Sequence, residues 1–269
     1  MAVERFAAGD PARSVAVEAV RGIEVRAAAR ADEIRPAASL LKLSLVAAVH
    51  DAAERGKVDL RRRISRSALP RTAEESVLDA LEPEHELSIG ELCSLSLVTS
   101  DNPAADYLLR VIGKEAVNGL LRDLGLEHTR LRAGFGDEEI SAAGRASTTT
   151  AREALVLVRR LVGERPRIGA VLEGNLRKGR IPLRLPEGTR ALNKTGTLLG
   201  VVNDAGIVYG DETDVAFAFL SEHQADPPRT EIAIGDCVAQ VRLAVGEPVR
   251  RPQAVGPEHR SSVGPRAAV

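Results

Sequence analysis

Apolar residues recur with period two at both ends of the chain and with helical spacing between them. Residues 14–20 (SVAVEAV) and 23–27 (IEVRA) alternate as two short strands, joined at Arg21-Gly22 in a hairpin. From Ser39 to Ala53 the apolar positions fall at helical spacing, and Pro36 stands where a first helical turn accepts proline. The helical pattern continues to about residue 180. Leu87–Thr99, Pro103–Ile112 and Lys114–Leu124 each carry an apolar face, and Gly125 stands just past the last of them as a C′ residue. Thr150 and Glu153 form a capping-box pattern ahead of Leu155, Val158, Leu161 and Val162. After residue 188 the alternation returns. Arg190–Lys194, Ala205–Tyr209 and Asp214–Leu220 predict strands, the last two separated by Gly210-Asp211-Glu212-Thr213. A closing helix spans about Thr230 to Val245, with Ile234, Val238, Val241 and Val245 on one face.

Strands at both ends around a helical middle predict an α/β (α+β) fold. Its antiparallel sheet is built from both termini and flanked by helices, with an all-α subdomain inserted. The division read from the pattern is 1–34 with 185–246 for the sheet subdomain and 35–184 for the helical one. Residues 247–269 hold four prolines and no periodicity and are expected to be a disordered tail.

Composition narrows the function by exclusion. With 44% apolar and 28% charged residues a packed core is expected. The balance of 37 Lys+Arg against 38 Asp+Glu leaves no electrostatic footprint for nucleic acid, so the expected partner is a small molecule. Two cysteines and scattered histidines supply no disulfide framework and no metal-ligand cluster. GxxxxGK[ST] and GxGxxG are both absent, so no metal, nucleotide or redox cofactor is expected. No apolar run is long enough for a membrane span, and the first residues lack a signal-peptide pattern. The expectation is a cytoplasmic monomer, or a secreted one if the true start lies upstream.

Three short motifs carry the chemistry. In Ser39-Leu40-Leu41-Lys42 the helical i, i+3 spacing lets the Lys42 amine reach the Ser39 hydroxyl. A serine is a weak nucleophile until a neighbouring base takes its proton, and a lysine serves if burial or a nearby cation leaves it neutral. Ser100-Asp101-Asn102 precedes Pro103 at a helix start, and Lys194-Thr195-Gly196 ends a predicted strand. Each motif is weak alone. Together, in the order SxxK, SDN, KTG, they are the combination of serine β-lactamases and penicillin-binding proteins. Two of only five lysines fall at its lysine positions.

The sequence thus resembles the class A β-lactamase-type serine hydrolases over roughly residues 14–245. The likeness extends to Gly90-Glu91-Leu92-Cys93 ahead of the SDN segment, to Leu124-Gly125 with Thr129-Arg130-Leu131 and Thr148-Thr149-Thr150 around the Ω-loop, and to Asn193 and Asn203-Asp204. The resemblance implies a hydrolase that opens a β-lactam or related amide through a Ser39 acyl-enzyme. Lys42 would take the proton of Ser39, and Ser100 would relay one to the leaving nitrogen. Asn102 would hold the substrate amide and Lys42. Lys194, Thr195 and Gly196 would receive a substrate carboxylate, and backbone N–H groups at Ser39 and Thr197 would form the oxyanion hole. Arg180 resembles the auxiliary carboxylate-binding arginine of some members, although an ordinary surface arginine fits the sequence equally well.

The pattern also breaks. The family's deacylating base is an Ω-loop glutamate four residues before an asparagine, and residues 131–147 hold no such pair. Counting puts Phe135 near the glutamate position. Asp137, Glu138 and Glu139 lie close by, and Glu138 and Glu139 are the candidate substitute bases, although three acids in a row also suit a solvated loop. Cys93 matches half of a disulfide some members carry, but the partner position holds Val46, so a buried thiol is expected. Leu198 is bulkier than the residues common at its position. The long N-terminal helix of the family is expected to be absent, or the start to be misassigned, because only about a dozen residues precede the first strand. The alternatives are a cytoplasmic acyltransferase, peptidase or esterase acting on a metabolite, or a slowly deacylating penicillin-binding or sensor protein.

Overall fold

A computed structural model describes residues 2–72, 76–136 and 146–250. The chain opens with a short helix, α1 (Ala2–Ala8), and a hairpin of β1 (Arg13–Arg21) and β2 (Arg26–Ala29). A two-residue strand, β3 (Arg35–Pro36), leads into a 3-10 turn over Ala38–Leu41 and then α2 (Lys42–Glu54). A small hairpin, β4 (Arg63–Ser65) with β5 (Glu86–Ser88), precedes α3 (Ile89–Val98), α4 (Asn102–Ile112) and α5 (Lys114–Asp123). Strand β6 (Thr148–Thr149) pairs with β3, followed by α6 (Ala151–Glu164) and α7 (Pro166–Glu173). Three long strands, β7 (Ala191–Leu198), β8 (Val201–Val208) and β9 (Asp214–Ser221), and the helix α8 (Pro227–Ala244) complete it.

The expected sheet is present as five antiparallel strands in the order β2-β1-β9-β8-β7, so the first and last thirds of the chain meet at β1 and β9. Both faces of β8 and β9 are buried, and the period of two in β9 is therefore one of size as well as polarity. Phe217 and Phe219 pack with Val15, Val17, Phe6, Ile234 and Val238, on the side of α1 and α8. Ala216 and Ala218 belong to the core shared with the helical region, where α6 crosses β1, β8 and β9. The Phe219 ring lies edge-on to Phe6 at 5.0 Å and stacked on Phe217 at 6.1 Å. Phe219→Ala is expected to cost about 3–5 kcal/mol, read as a fall in the denaturant midpoint.

Several sequence expectations change. Pro36 is not in a helical turn: its carbonyl and that of Ala37 are tied into the sheet region, and the helix waits until Lys42. The second strand lies three residues later than the alternation suggests, because Gly22 at φ +90° opens the hairpin loop early. Residues 86–88 are a strand rather than the first turn of a helix, and Ser88 then caps α3 in a box with Glu91. A short helix, α1, stands ahead of β1, with Phe6 buried against Phe219. Thr150 caps α6 as expected by accepting from the Glu153 N–H, whereas the Glu153 carboxylate turns to His128 N–H and the Thr129 hydroxyl. Gly125 has φ +74° just beyond α5, the C′ geometry its position implies.

Within the segment read as a tail, Glu247 is 4% exposed. It accepts from the backbone N–H groups of Asp211, Glu212 and Thr213, and Arg242 reaches it at 3.3 Å. Residues 251–269 lie outside the described residues. Cys93 and Cys237 are both buried free thiols. No helix among the described residues is long and apolar enough to cross a membrane.

Candidate active site

Three segments distant in sequence meet where β7 passes the 3-10 turn of Ser39. Gly196 makes the approach possible. A Cβ there would stand 2.9 Å from the Ala37 carbonyl oxygen, closer than real Cβ atoms come, and a tight 3.1 Å from the Ala38 Cβ. Asn203, on β8 directly across from Gly196, fixes the same junction. Its amide donates to the Pro36 oxygen at 2.7 Å, and its own oxygen accepts from the Ser221 N–H at 2.8 Å. Ala38 is held at φ +49°, a left-handed conformation uncommon for a residue with a Cβ. Ser39 is half-buried, and the Lys42 N–H closes the turn by donating to the Ser39 carbonyl.

The second segment is the link from α3 to α4. Asp101 caps α4 by accepting from the Ala104 N–H at 2.8 Å and also accepts from the Ser76 hydroxyl. Ser100 before it takes a left-handed conformation, φ +64°, and its hydroxyl meets the Lys194 side chain. Two lysines converge there. The Lys194 ammonium donates to Ser100 Oγ at 2.9 Å and to the Thr195 carbonyl at 2.8 Å. The Lys42 ammonium donates to Asn102 Oδ1 at 2.5 Å, to the Ser100 carbonyl at 2.5 Å, and to Ser100 Oγ at 3.3 Å. Both lysine side chains are wholly buried. Burial, reinforced by the Lys42 charge, pushes the Lys194 ammonium well below the ordinary lysine range. The Ser39 hydroxyl makes no hydrogen bond among the described residues, so Lys42 is directed to the SDN segment rather than to the hydroxyl three residues before it.

The Ser100 hydroxyl thus lies between two buried lysine side chains, next to the turn that carries the half-buried Ser39. The sequence profile of the beta-lactamase enzyme family matches residues 3–242. The chain belongs to that family. A beta-lactamase from Streptomyces albus G is 28% identical over 235 residues, covering 81% of this chain and 75% of that one. The structure of a beta-lactamase from Sphaerobacter thermophilus DSM 20745 superposes with a TM-score of 0.82 at 26% identity, covering 91% of this chain and 97% of that one. An ancestral class A beta-lactamase superposes with a TM-score of 0.78 at 26% identity, over 91% of this chain and 100% of that one.

The remaining expected residues of this beta-lactamase family member fall as follows. Thr195 is buried on β7, and Thr197 is exposed two residues on, on the same face of the strand. Arg180 is not a surface arginine. It is 5% exposed, and its guanidinium donates to the carbonyls of Gly196 (3.1 Å) and Asn203 (2.6 Å), to Thr197 Oγ1 (2.8 Å) and to Glu231 (3.0 Å). It therefore braces the β7–β8 edge and orients the Thr197 hydroxyl. Phe135 sits with its ring 5.2 Å from the Lys42 ammonium. Asp106 holds it there, accepting from the N–H groups of Phe135 at 2.7 Å and Gly136 at 3.0 Å. Asp137, Glu138 and Glu139 lie outside the described residues.

Sequence reasoning assigned no role to Asp106, Asn203, Asp204 or Glu231. The available signals were the acid four residues beyond Asn102 and the polar pair Asn203-Asp204 inside an apolar strand. Neither fits its local pattern, and a polar residue in a buried strand needs a partner.

Proposed function

We propose that this family member is an active-site serine hydrolase of the class A type, opening a β-lactam or a related amide through a Ser39 acyl-enzyme. The observation that carries the reading is the convergence of the Lys42 and Lys194 side-chain nitrogens on the Ser100 hydroxyl at the edge of the Ser39 turn. For this step Lys42 acts as the neutral amine: it takes the Ser39 proton, becoming the ammonium, as Ser39 Oγ bonds to the carbonyl carbon. The backbone N–H groups of Ser39 and Thr197 receive the oxyanion. Removing one such donor commonly costs about 10²–10³ in rate. The C–N bond then breaks as Ser100 passes its proton to the leaving nitrogen and receives one from the Lys42 ammonium, 3.3 Å away, which returns Lys42 to the amine. Lys194, Thr195 and Thr197 attract a carboxylate on the substrate, and Asn102 binds its amide. Arg180 contributes through Thr197, since its own donors are already engaged.

Intact-protein mass spectrometry during reaction with a penicillin tests this. An adduct that forms and clears while hydrolysed drug accumulates is the expected result; absence of any adduct would overturn it. An adduct that persists would instead support the slowly deacylating alternative, which the missing ExxxN pair favours. Glu138→Gln and Glu139→Gln are the direct probe of the deacylating base. One of them is expected to lengthen the adduct lifetime by about 10²–10⁴, the usual contribution of a general base. Unchanged lifetimes in both would remove them from the mechanism.

A further inference from the structure

We propose that Phe135, locked to Asp106 through its backbone, is a positioning residue that covers Lys42 against water and so confines that lysine to the acylation half of the reaction. The consequence for turnover rests on the acyl-enzyme reading just given; the cover itself does not.

The chain has four phenylalanines, and three of them, Phe6, Phe217 and Phe219, pack together on the side of α1 and α8. The fourth lies against the helical region with its ring 5.2 Å from Lys42 Nζ, within the range in which a cation and an aromatic face attract. Lys42 has no exposure, whereas Phe135 is half-buried, so the ring stands between a buried nitrogen and solvent.

The backbone fixes that ring in place. Asp106 accepts from the Phe135 N–H through Oδ1 at 2.7 Å and from the Gly136 N–H through Oδ2 at 3.0 Å, so each carboxylate oxygen holds one peptide. Glycine on both sides lets the chain come this close. A Cβ at Gly134 would stand 3.0 Å from Asp106 Oδ1, and one at Gly136 would stand 2.3 Å from Thr72 Cγ2 and 2.8 Å from Thr72 Cβ. Asp106 follows Asn102 by one turn of α4, on the same face. One helix therefore holds Lys42 directly, through Asn102 Oδ1, and covers it indirectly, through the peptides that carry Phe135.

Once the leaving nitrogen has its proton, Lys42 is an amine three residues from the Ser39 ester. Hydrolysis through it needs a water whose oxygen bonds to the acyl carbon as its proton passes to the amine. The Ser39–carbon bond then breaks, and Ser39 Oγ takes that proton back. The oxygens of Ser100 and Asn102 already engage Lys42 Nζ, and the ring closes on it as well, which keeps such a water out. Clearance of the acyl group then depends on a base other than Lys42.

Phe135→Ala is expected to shorten the lifetime of the penicillin adduct by about tenfold while changing the acylation rate by less than about threefold, whereas Phe135→Leu, which keeps the bulk, is expected to keep the lifetime. An unchanged or longer lifetime in Phe135→Ala, or equal shortening in Phe135→Leu, would overturn the proposal. So would a parallel loss of acylation, the mark of a merely structural role. Should Phe135→Ala not fold, Asp106→Asn decides. It exchanges one accepting oxygen for a donor, and its adduct is expected to clear about threefold faster, an unchanged lifetime counting against the proposal.

The cover is also read without substrate. The five lysines give five ε-methylene signals by NMR in lysine-labelled protein, with Lys42 assigned by its absence in Lys42→Arg. A soluble nitroxide is expected to broaden the Lys42 signal several-fold more in Phe135→Ala, or in Asp106→Asn, than in the unaltered protein. Equal broadening would overturn the cover. If the difference is present and the unaltered protein takes no adduct, the acyl-enzyme reading fails alone and the cover stands.

Discussion

Ser39→Ala is expected to abolish covalent labelling by a penicillin while leaving the melting temperature within a degree or two. Both halves come from the same geometry. Ser39 Oγ is the nucleophile of the proposed mechanism, and the Ser100 hydroxyl beside it is already engaged by both lysine side chains. The substitution removes one oxygen from a half-buried side chain that makes no hydrogen bond among the described residues, so no partner is stranded. Changes of that kind usually stay within about 0.5 kcal/mol. Time-resolved mass spectrometry with a thermal melt of the same sample checks both. Labelling that survives would place the nucleophile elsewhere.

Lys42→Ala is expected to slow acylation by about 10²–10⁴, measured by stopped-flow or quenched mass spectrometry, the range typical for a lost general base. Unlike the serine change it carries a stability cost. Lys42 is wholly buried, and its loss leaves Asn102 Oδ1 and the Ser100 carbonyl without their donor. A stranded buried acceptor costs about 1–3 kcal/mol. Circular dichroism and a denaturant titration separate the two effects, because a fold that persists with slow chemistry assigns the base role. An unchanged acylation rate would remove Lys42 from that role.

The candidate motifs were legible in the sequence before the geometry. Ser39, Lys42, Ser100, Asn102, Lys194 and Gly196 stand in short motifs whose local spacing is informative, and the structure brings the SDN and KTG groups to one point. The long strands and helices were legible for a similar reason, since β9 and α8 repeat their apolar positions over several periods. What stayed hidden depends on partners far along the chain. Pro36 reads as a helix start until Thr148 pairs with it. Arg180 reads as one arginine among many until Gly196, Thr197, Asn203 and Glu231 surround it. The left-handed backbone at Ala38 and Ser100 leaves no compositional trace, because neither residue is glycine and the surrounding contacts impose it.

The two buried thiols have a practical consequence. Burial pushes Cys93 and Cys237 to about 12, so at pH 8 only about one thiol in 10⁴ is ionised, and alkylating reagents act on the thiolate. The fold also holds no disulfide for a reductant to break. The protein is therefore a blank background for sulfur chemistry. A single cysteine introduced at the exposed Leu199, in the turn between β7 and β8, would be the one fast-reacting thiol in the molecule. A fluorophore or spin label placed there would report on that turn without any need to remove the native cysteines.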